Sequence, residues 1–225
     1  KILMKYLILC YKMPYSIQKS KAASYYSSAQ GEKAHNKQAE NPVFETDPMT
    51  IDEQGITHCT SRIRPLNFPY KVVRSVVPTG AELILKQVEY QWPLEKGSFV
   101  CVNKPSIGVI EYVAFVVNEK AQYVPKEMQY ILQDQKQQVE YYDLSENYEG
   151  ECCYIYRILK YEVNVFGSMI IESAISMIYK KIYKSNYSNM IKSREHWESL
   201  TDLEIDELKK KKDCSINIVD VELEK

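Results

Sequence analysis

Between Lys71 and Phe166 short apolar runs alternate with turn formers, and this spacing limits the possible folds more than any other feature of the chain. The runs are KVVRSVV (71–77), ELILKQVEYQW (82–92), SFVCV (98–102), GVIEYVAFVVN (108–118), QYIL (129–132), QQVEYYDL (137–144) and CYIYRILKYEVNVF (153–166). Each is rich in Val, Ile, Tyr and Phe and roughly alternates, as pleated strands do. Pro78-Thr79-Gly80, the stretches 93–97 and 105–108, Asn118-Glu119-Lys120 and the stretch 147–150 punctuate them. Short strands at this spacing predict a β-barrel or sandwich rather than βαβ units.

The period changes after Gly167. In SMIIESAISMIYKKIYK (168–184), Ile171, Ala174, Ile175, Ile178 and Ile182 recur at steps of mostly three and four. That predicts one helical face with a basic C-terminal end. In SLTDLEIDELKKKK (199–212), Thr201 precedes Glu204 by three residues, a capping box, with acids leading and lysines trailing. The expected fold class is therefore mostly β, within α+β. A β body over 56–166 is followed by two C-terminal helices and a tail over 167–225.

Residues 1–55 read differently. The stretch SKAASYYSSAQGEKAHNKQAENP holds few large aliphatics, so an extended arm is expected there. Residues 1–40 carry seven lysines against Glu32 and Glu40, a net of +5, while the whole 225-residue chain carries −1. A basic arm on a mildly acidic body points to an acidic polymer or surface. Lys12, Lys19, Lys21, Lys33 and Lys37 are candidate phosphate contacts. Tyr25, Tyr26 and His35, interleaved with them, are candidate stacking platforms for exposed bases. The plain alternative is a solvated tail.

The six cysteines, Cys10, Cys59, Cys101, Cys152, Cys153 and Cys214, include no C-x-x-C pair, and His35, His58 and His196 lie far apart. This fits neither a zinc site nor a disulfide framework, so a reducing, cytoplasmic setting is expected, with no metal and no cofactor. The leading KILMKYLILCYK is too short for a signal peptide's apolar core. No run approaches the roughly 20 apolar residues of a membrane span, so no membrane is expected as a partner.

Two resemblances arise from these residues. In residues 94–113, Lys96 precedes SFVCV and Pro105-Ser106-Ile107-Gly108 precedes VIEYVAFVV. This resembles the hairpin of lipoyl- and biotin-carrier domains and of the glycine-cleavage H protein, where a modified lysine sits at the tip. That resemblance implies a flattened barrel-sandwich hybrid and, as one alternative, a carrier lysine at Lys96. The Met-Lys-Met of biotin carriers is missing.

HCTSRI (58–63), GAELILKQVEYQ (80–91), EKGSFV (95–100) and ESLTDLEIDELKKKK (198–212) are similar, in that order, to segments of the ABITRAM (Simiate) family. That family looks like an H-protein-type barrel that has lost its lipoyl function. The resemblance implies a non-enzymatic binding protein linked to RNA bodies. Its relatives in reduced eukaryotes look like ribosome-associated dormancy (hibernation) factors occupying a tRNA site. The implied partners are rRNA or ribosomal proteins; separately, the long extensions fit a structural subunit of a larger assembly equally well.

The sequence holds no constellation that favours an enzyme or a small-molecule substrate. Cys59 and His58 are adjacent, and neighbouring residues on a strand point to opposite faces. Gly-rich phosphate loops, H-E-x-x-H and G-x-S-x-G are absent from the sequence. SREHWES (193–199) is expected to act as a capping and docking segment between helices.

Overall fold

The computed structural model describes residues 5–38, 50–51, 57–65, 82–89, 95–101, 108–120, 138–164 and 168–210, with backbone alone for 28–29, 31–38, 168, 206, 208–210 and the strands between 50 and 101. The elements in chain order are β1 (Lys5–Met13), α1 (Ile17–Gln38), β2 (Thr50–Ile51), β3 (Thr57–Pro65), β4 (Glu82–Glu89), β5 (Glu95–Cys101), β6 (Gly108–Val117), β7 (Val139–Asp143) and β8 (Cys153–Val163). Three helices follow: α2 (Ser168–Lys192), α3 (Arg194–Trp197) and α4 (Asp202–Lys210). The class is α+β. The expected runs at 71–77 and 129–132 lie outside the described residues.

The strands form one sheet in the order β2-β3-β4-β5-β6-β8-β1-β7. Strands β3 to β6 make an antiparallel meander, and β8 adds to the far side of β6. The chain's first strand then lies between β8, antiparallel, and β7, parallel. An extended arm over 1–55 does not describe residues 5–38, which supply an interior strand and a 22-residue helix.

The reason is burial on both sides. Leu7, Ile8, Leu9, Cys10 and Tyr11 are consecutive and all buried. A strand covered on both faces reads as an unbroken apolar run, without alternation. Leu7, Leu9, Tyr11 and Met13 join Tyr112, Leu159 and Tyr161 in a core that the helices complete. Ile8 and Cys10 join Val113, Phe115, Tyr156 and Ile158 in a cluster on the opposite face. There Phe115 stacks on Tyr156 with ring centres 4.9 Å apart.

Helix α1 packs through small and aromatic side chains, with Ser20, Ala22, Ala23, Tyr25 and Tyr26 all buried. Alanines let the backbone approach its neighbours closely, so few large aliphatics were needed. Helix α2 extends past the expected 184 to Lys192. Its buried apolar residues are Ile171, Ile175, Tyr187 and Met190, with Tyr179 and Tyr183 packed against them. Four-residue steps advance about 40° each, so this line winds round the helix and leaves Ile182 at the surface.

Two local features hold the frame. At Gly108 an added Cβ would lie 2.3 Å from the carbonyl oxygen of Glu162, so β6 and β8 meet too closely for a side chain. At α4 the capping box forms as expected. The Glu204 N–H donates to Thr201 Oγ1 (3.3 Å), and the Thr201 N–H donates to Glu204 Oε2 (2.8 Å).

Candidate functional site

The proposed nucleic-acid contacts separate into two groups. Lys12 and Asp143 are cross-strand partners in the β1–β7 pair, and their side chains form an ion pair at 3.4 Å. Asp143 is held below the usual carboxylate range, first by the Ser145 hydroxyl and backbone N–H and then by Lys12. Lys19 donates to the carbonyl oxygen of Glu198 at 2.5 Å. Lys21 is half-buried. Tyr25 and Tyr26 are 8% and 3% exposed, and Tyr26 lies against His196 with ring centres 6.1 Å apart. Stacking on bases needs an open ring face, so that role does not fit either tyrosine. Lys33, His35 and Lys37 form the second group, in the last two turns of α1, where only the backbone is described.

Lys96 does not occupy a hairpin tip. It sits inside β5, paired with Val88 of β4 on one side and Val113 of β6 on the other. A swinging arm needs a turn that projects from the sheet, and a ladder position with neighbours on both sides does not provide one. Residues 90–94, where the β4–β5 connection lies, are outside the described residues.

The SREHWES segment is the docking corner the sequence suggested. Arg194 donates to the Pro14 carbonyl (3.0 Å) and to the Tyr148 hydroxyl (3.3 Å), and it pairs with Glu198 one turn on. Its guanidinium also lies over the Tyr148 ring, 4.9 Å from the centre. Hydrogen bonds donated to Glu198 and Tyr148 raise the Arg194 pKa, and the bond accepted from Arg194 lowers that of Glu198. One planar cation thus ties the end of β1, the β7–β8 turn and α3 together.

A second cation, Arg157, was not singled out from sequence. It belongs to β8 and shares the helix-facing side with Leu9 and Ala114, its cross-strand partners. Its Nε donates to the Tyr187 hydroxyl at 2.7 Å, and its guanidinium lies 5.0 Å from the Tyr183 ring centre. A charged residue two positions from both Ile155 and Leu159 was the available signal, because alternate residues of a strand share a face. Tyr11 stacks on Tyr142 at 5.1 Å and tilts against Tyr187 at 4.6 Å. Its hydroxyl is buried without a hydrogen-bond partner among the described residues, and burial pushes its pKa up.

Two surface clefts flank this frame. One, of about 420 Å³, is lined by Lys5, Tyr161, Glu172, Ser173, Ser176, Met177 and Lys180. Its cations are engaged, Lys5 with the buried Glu172 and Lys180 with Glu140. The other, of about 530 Å³, is lined by Lys12, Asp143, Ser145, Glu146, Asn147, Tyr148 and Glu149. Asn147 there has φ 61°, a left-handed turn position that asparagine tolerates.

No group of three or more His, Cys, Asp or Glu among the described residues could hold a metal ion. Burial raises the pKa of Cys10 and pushes that of Cys153 up to about 12, which keeps both thiols protonated and poor nucleophiles near neutrality. No helix among the described residues is long and apolar enough to cross a membrane.

No family model matches this sequence, and no curated protein matches it. Similar solved structures include norcoclaurine synthase from Thalictrum flavum in complex with dopamine and hydroxybenzaldehyde. It is 14% identical, with 89% of this chain and 91% of that chain covered and a TM-score of 0.42. Another structure of norcoclaurine synthase from the same plant is 15% identical, covering 84% of this chain and 87% of that chain, with a TM-score of 0.41. Overlap at this level carries no argument about fold or activity.

Proposed function

We propose that this chain is a non-catalytic binding factor that docks on RNA within a ribonucleoprotein, and that its partner is the ribosome in an idle state. The observation that supports this reading is the presence of Lys33, His35 and Lys37 in the last two turns of α1, within a stretch of net charge +5 whose Lys5, Lys12 and Lys19 are engaged inside the fold. Cations carried one turn apart on a helix can neutralise successive phosphates and release their counterions. The collinear resemblance of 58–63, 80–91, 95–100 and 198–212 to a non-enzymatic, RNA-linked family supports the same reading. The barrel-sandwich form implied for residues 56–166 belongs to that resemblance and stands or falls with it. The cysteines whose side chains are described, Cys10, Cys152 and Cys153, are free thiols, which agrees with a cytoplasmic location.

Deleting residues 1–40 is a poor test, because it removes β1 from the interior of the sheet. The test is charge reversal at Lys33→Glu and Lys37→Glu, with co-sedimentation on purified ribosomes at low salt. The wild-type chain is expected to pellet and to be released as salt rises. The double variant is expected to bind more weakly, with a salt slope smaller by about two. Wild-type protein that stays in the supernatant at low salt overturns the reading.

A further inference from the structure

We propose that the outer side of α2 is a docking surface for an anionic phospholipid bilayer. Among the described residues four large apolar side chains are more than half exposed, and three of them, Met169 (74%), Ile170 (61%) and Met177 (55%), lie on this helix. Steps of seven and eight residues bring Met177 onto the same side as Ile170 and Met169. Along this part of the helix the side is fixed, because Ile171 and Ile175 hold the opposite side in the core.

The same outer stripe continues into Lys181, Lys184 and Lys192, all exposed. None of the three forms an ion pair within the described residues. The only acid between 168 and 192 is Glu172, which is buried against Lys5. The stripe therefore joins wet apolar side chains to uncompensated positive charge. A polyphosphate strand would use the lysines and leave the methionines and isoleucine in water. A bilayer surface uses both, taking Met169, Ile170 and Met177 at the headgroup–acyl boundary while the lysines meet anionic headgroups. The sequence expectation of no membrane rested on the lack of a spanning run, which does not bear on a helix lying in the interface.

The test is vesicle flotation of the full chain, using neutral phosphatidylcholine vesicles and vesicles with about one third phosphatidylserine. Binding is expected with the anionic vesicles only. Two double variants, Ile170→Asp with Met177→Asp and Lys181→Glu with Lys184→Glu, should each lower the bound fraction by about tenfold or more. Both keep the buried side of α2, so their thermal unfolding should match the wild type. Lys33→Glu with Lys37→Glu should float normally, which separates this surface from the RNA-docking reading. No flotation overturns the proposal. Flotation unaffected by Ile170→Asp with Met177→Asp also overturns it, because the attraction would then be charge alone. A wild-type dimer that fails to float and is abolished by that variant assigns the stripe to a protein interface instead.

Discussion

The indole N–H of Trp197 donates to the carbonyl oxygen of Met190 at 2.8 Å, and both residues are buried. That carbonyl belongs to the last turn of α2, where the helix supplies no internal donor. Tyr15 packs edge-on to the indole at 5.1 Å, and its hydroxyl lies 2.9 Å from Met190 Sδ. One aromatic side chain thus caps a helix and joins it to the segment that follows β1.

Replacing Trp197 with Phe keeps most of the volume and deletes the donor. The Met190 carbonyl also accepts from Ser193 Oγ at 3.2 Å, so it is not left bare. We expect Trp197→Phe to lower unfolding stability by about 1–3 kcal/mol, and Trp197→Ala to lower it by about 3–5 kcal/mol. Urea unfolding measures both. A Phe variant indistinguishable from wild type would mean that the bond contributes nothing.

The parts of this fold that were legible in sequence are those whose patterns are local. Strands β4, β6 and β8 lie where alternation and turn residues placed them, β5 begins at Glu95 within the expected 93–97 turn, and Thr201 caps α4 as its spacing predicts. Residues 5–38 were not legible, because strand and helix there depend on distant partners. YLILCY is a strand only because β8 and β7 flank it, and Ala22, Ala23, Tyr25 and Tyr26 form a packing face only because α2, α3 and α4 stand beside α1. Composition registered the shortage of large aliphatics and missed that alanine and tyrosine filled the space. The same oversight affects the candidate site: tyrosines read as stacking platforms are core residues, while Lys33 and Lys37 keep their place on α1.

Gly108 illustrates a motif recognised for the wrong reason. Pro105-x-x-Gly108 reads as a turn, yet the glycine is already the first residue of β6, and the constraint on it is the Glu162 carbonyl at 2.3 Å from a would-be Cβ. We expect Gly108→Ala to push β6 from β8 at that end and to lower stability by about 1–3 kcal/mol. Amide exchange should quicken first near Gly108 and Val163, which pair there. Unchanged exchange at Val163 would count against the close approach.

Stability should fall on the alkaline side. Burial raises the pKa of Tyr11, Tyr15 and Cys10, and pushes that of Cys153 up to about 12 from an ordinary 9.0. The unfolded chain then loses these protons before the folded one does. The stabilising difference is fully present below about pH 9 and disappears as pH rises toward 12. Urea midpoints should therefore be level near neutrality and decline from about pH 9 upward, and Cys153→Ala should make the decline shallower. Midpoints that hold steady through pH 11 would contradict the burial of these groups.

Arg157 and Tyr187 should behave as one unit. The 2.7 Å bond from Arg157 Nε reaches a phenol that is 2% exposed, so either truncation removes a hydrogen bond from a poorly hydrated layer. Tyr187→Phe removes the acceptor and should cost about 1–2 kcal/mol. Arg157→Met replaces the charge with an apolar chain that can still pack beneath Tyr183, so its cost should be small compared with Arg157→Ala. Once Arg157 is methionine, Tyr187→Phe should cost much less than in the wild type, a coupling of about 1 kcal/mol or more in a double-mutant cycle. Strict additivity would show that the two side chains are neighbours without mutual dependence. The arginine's place on this face would then rest on its packing against the tyrosine rings alone.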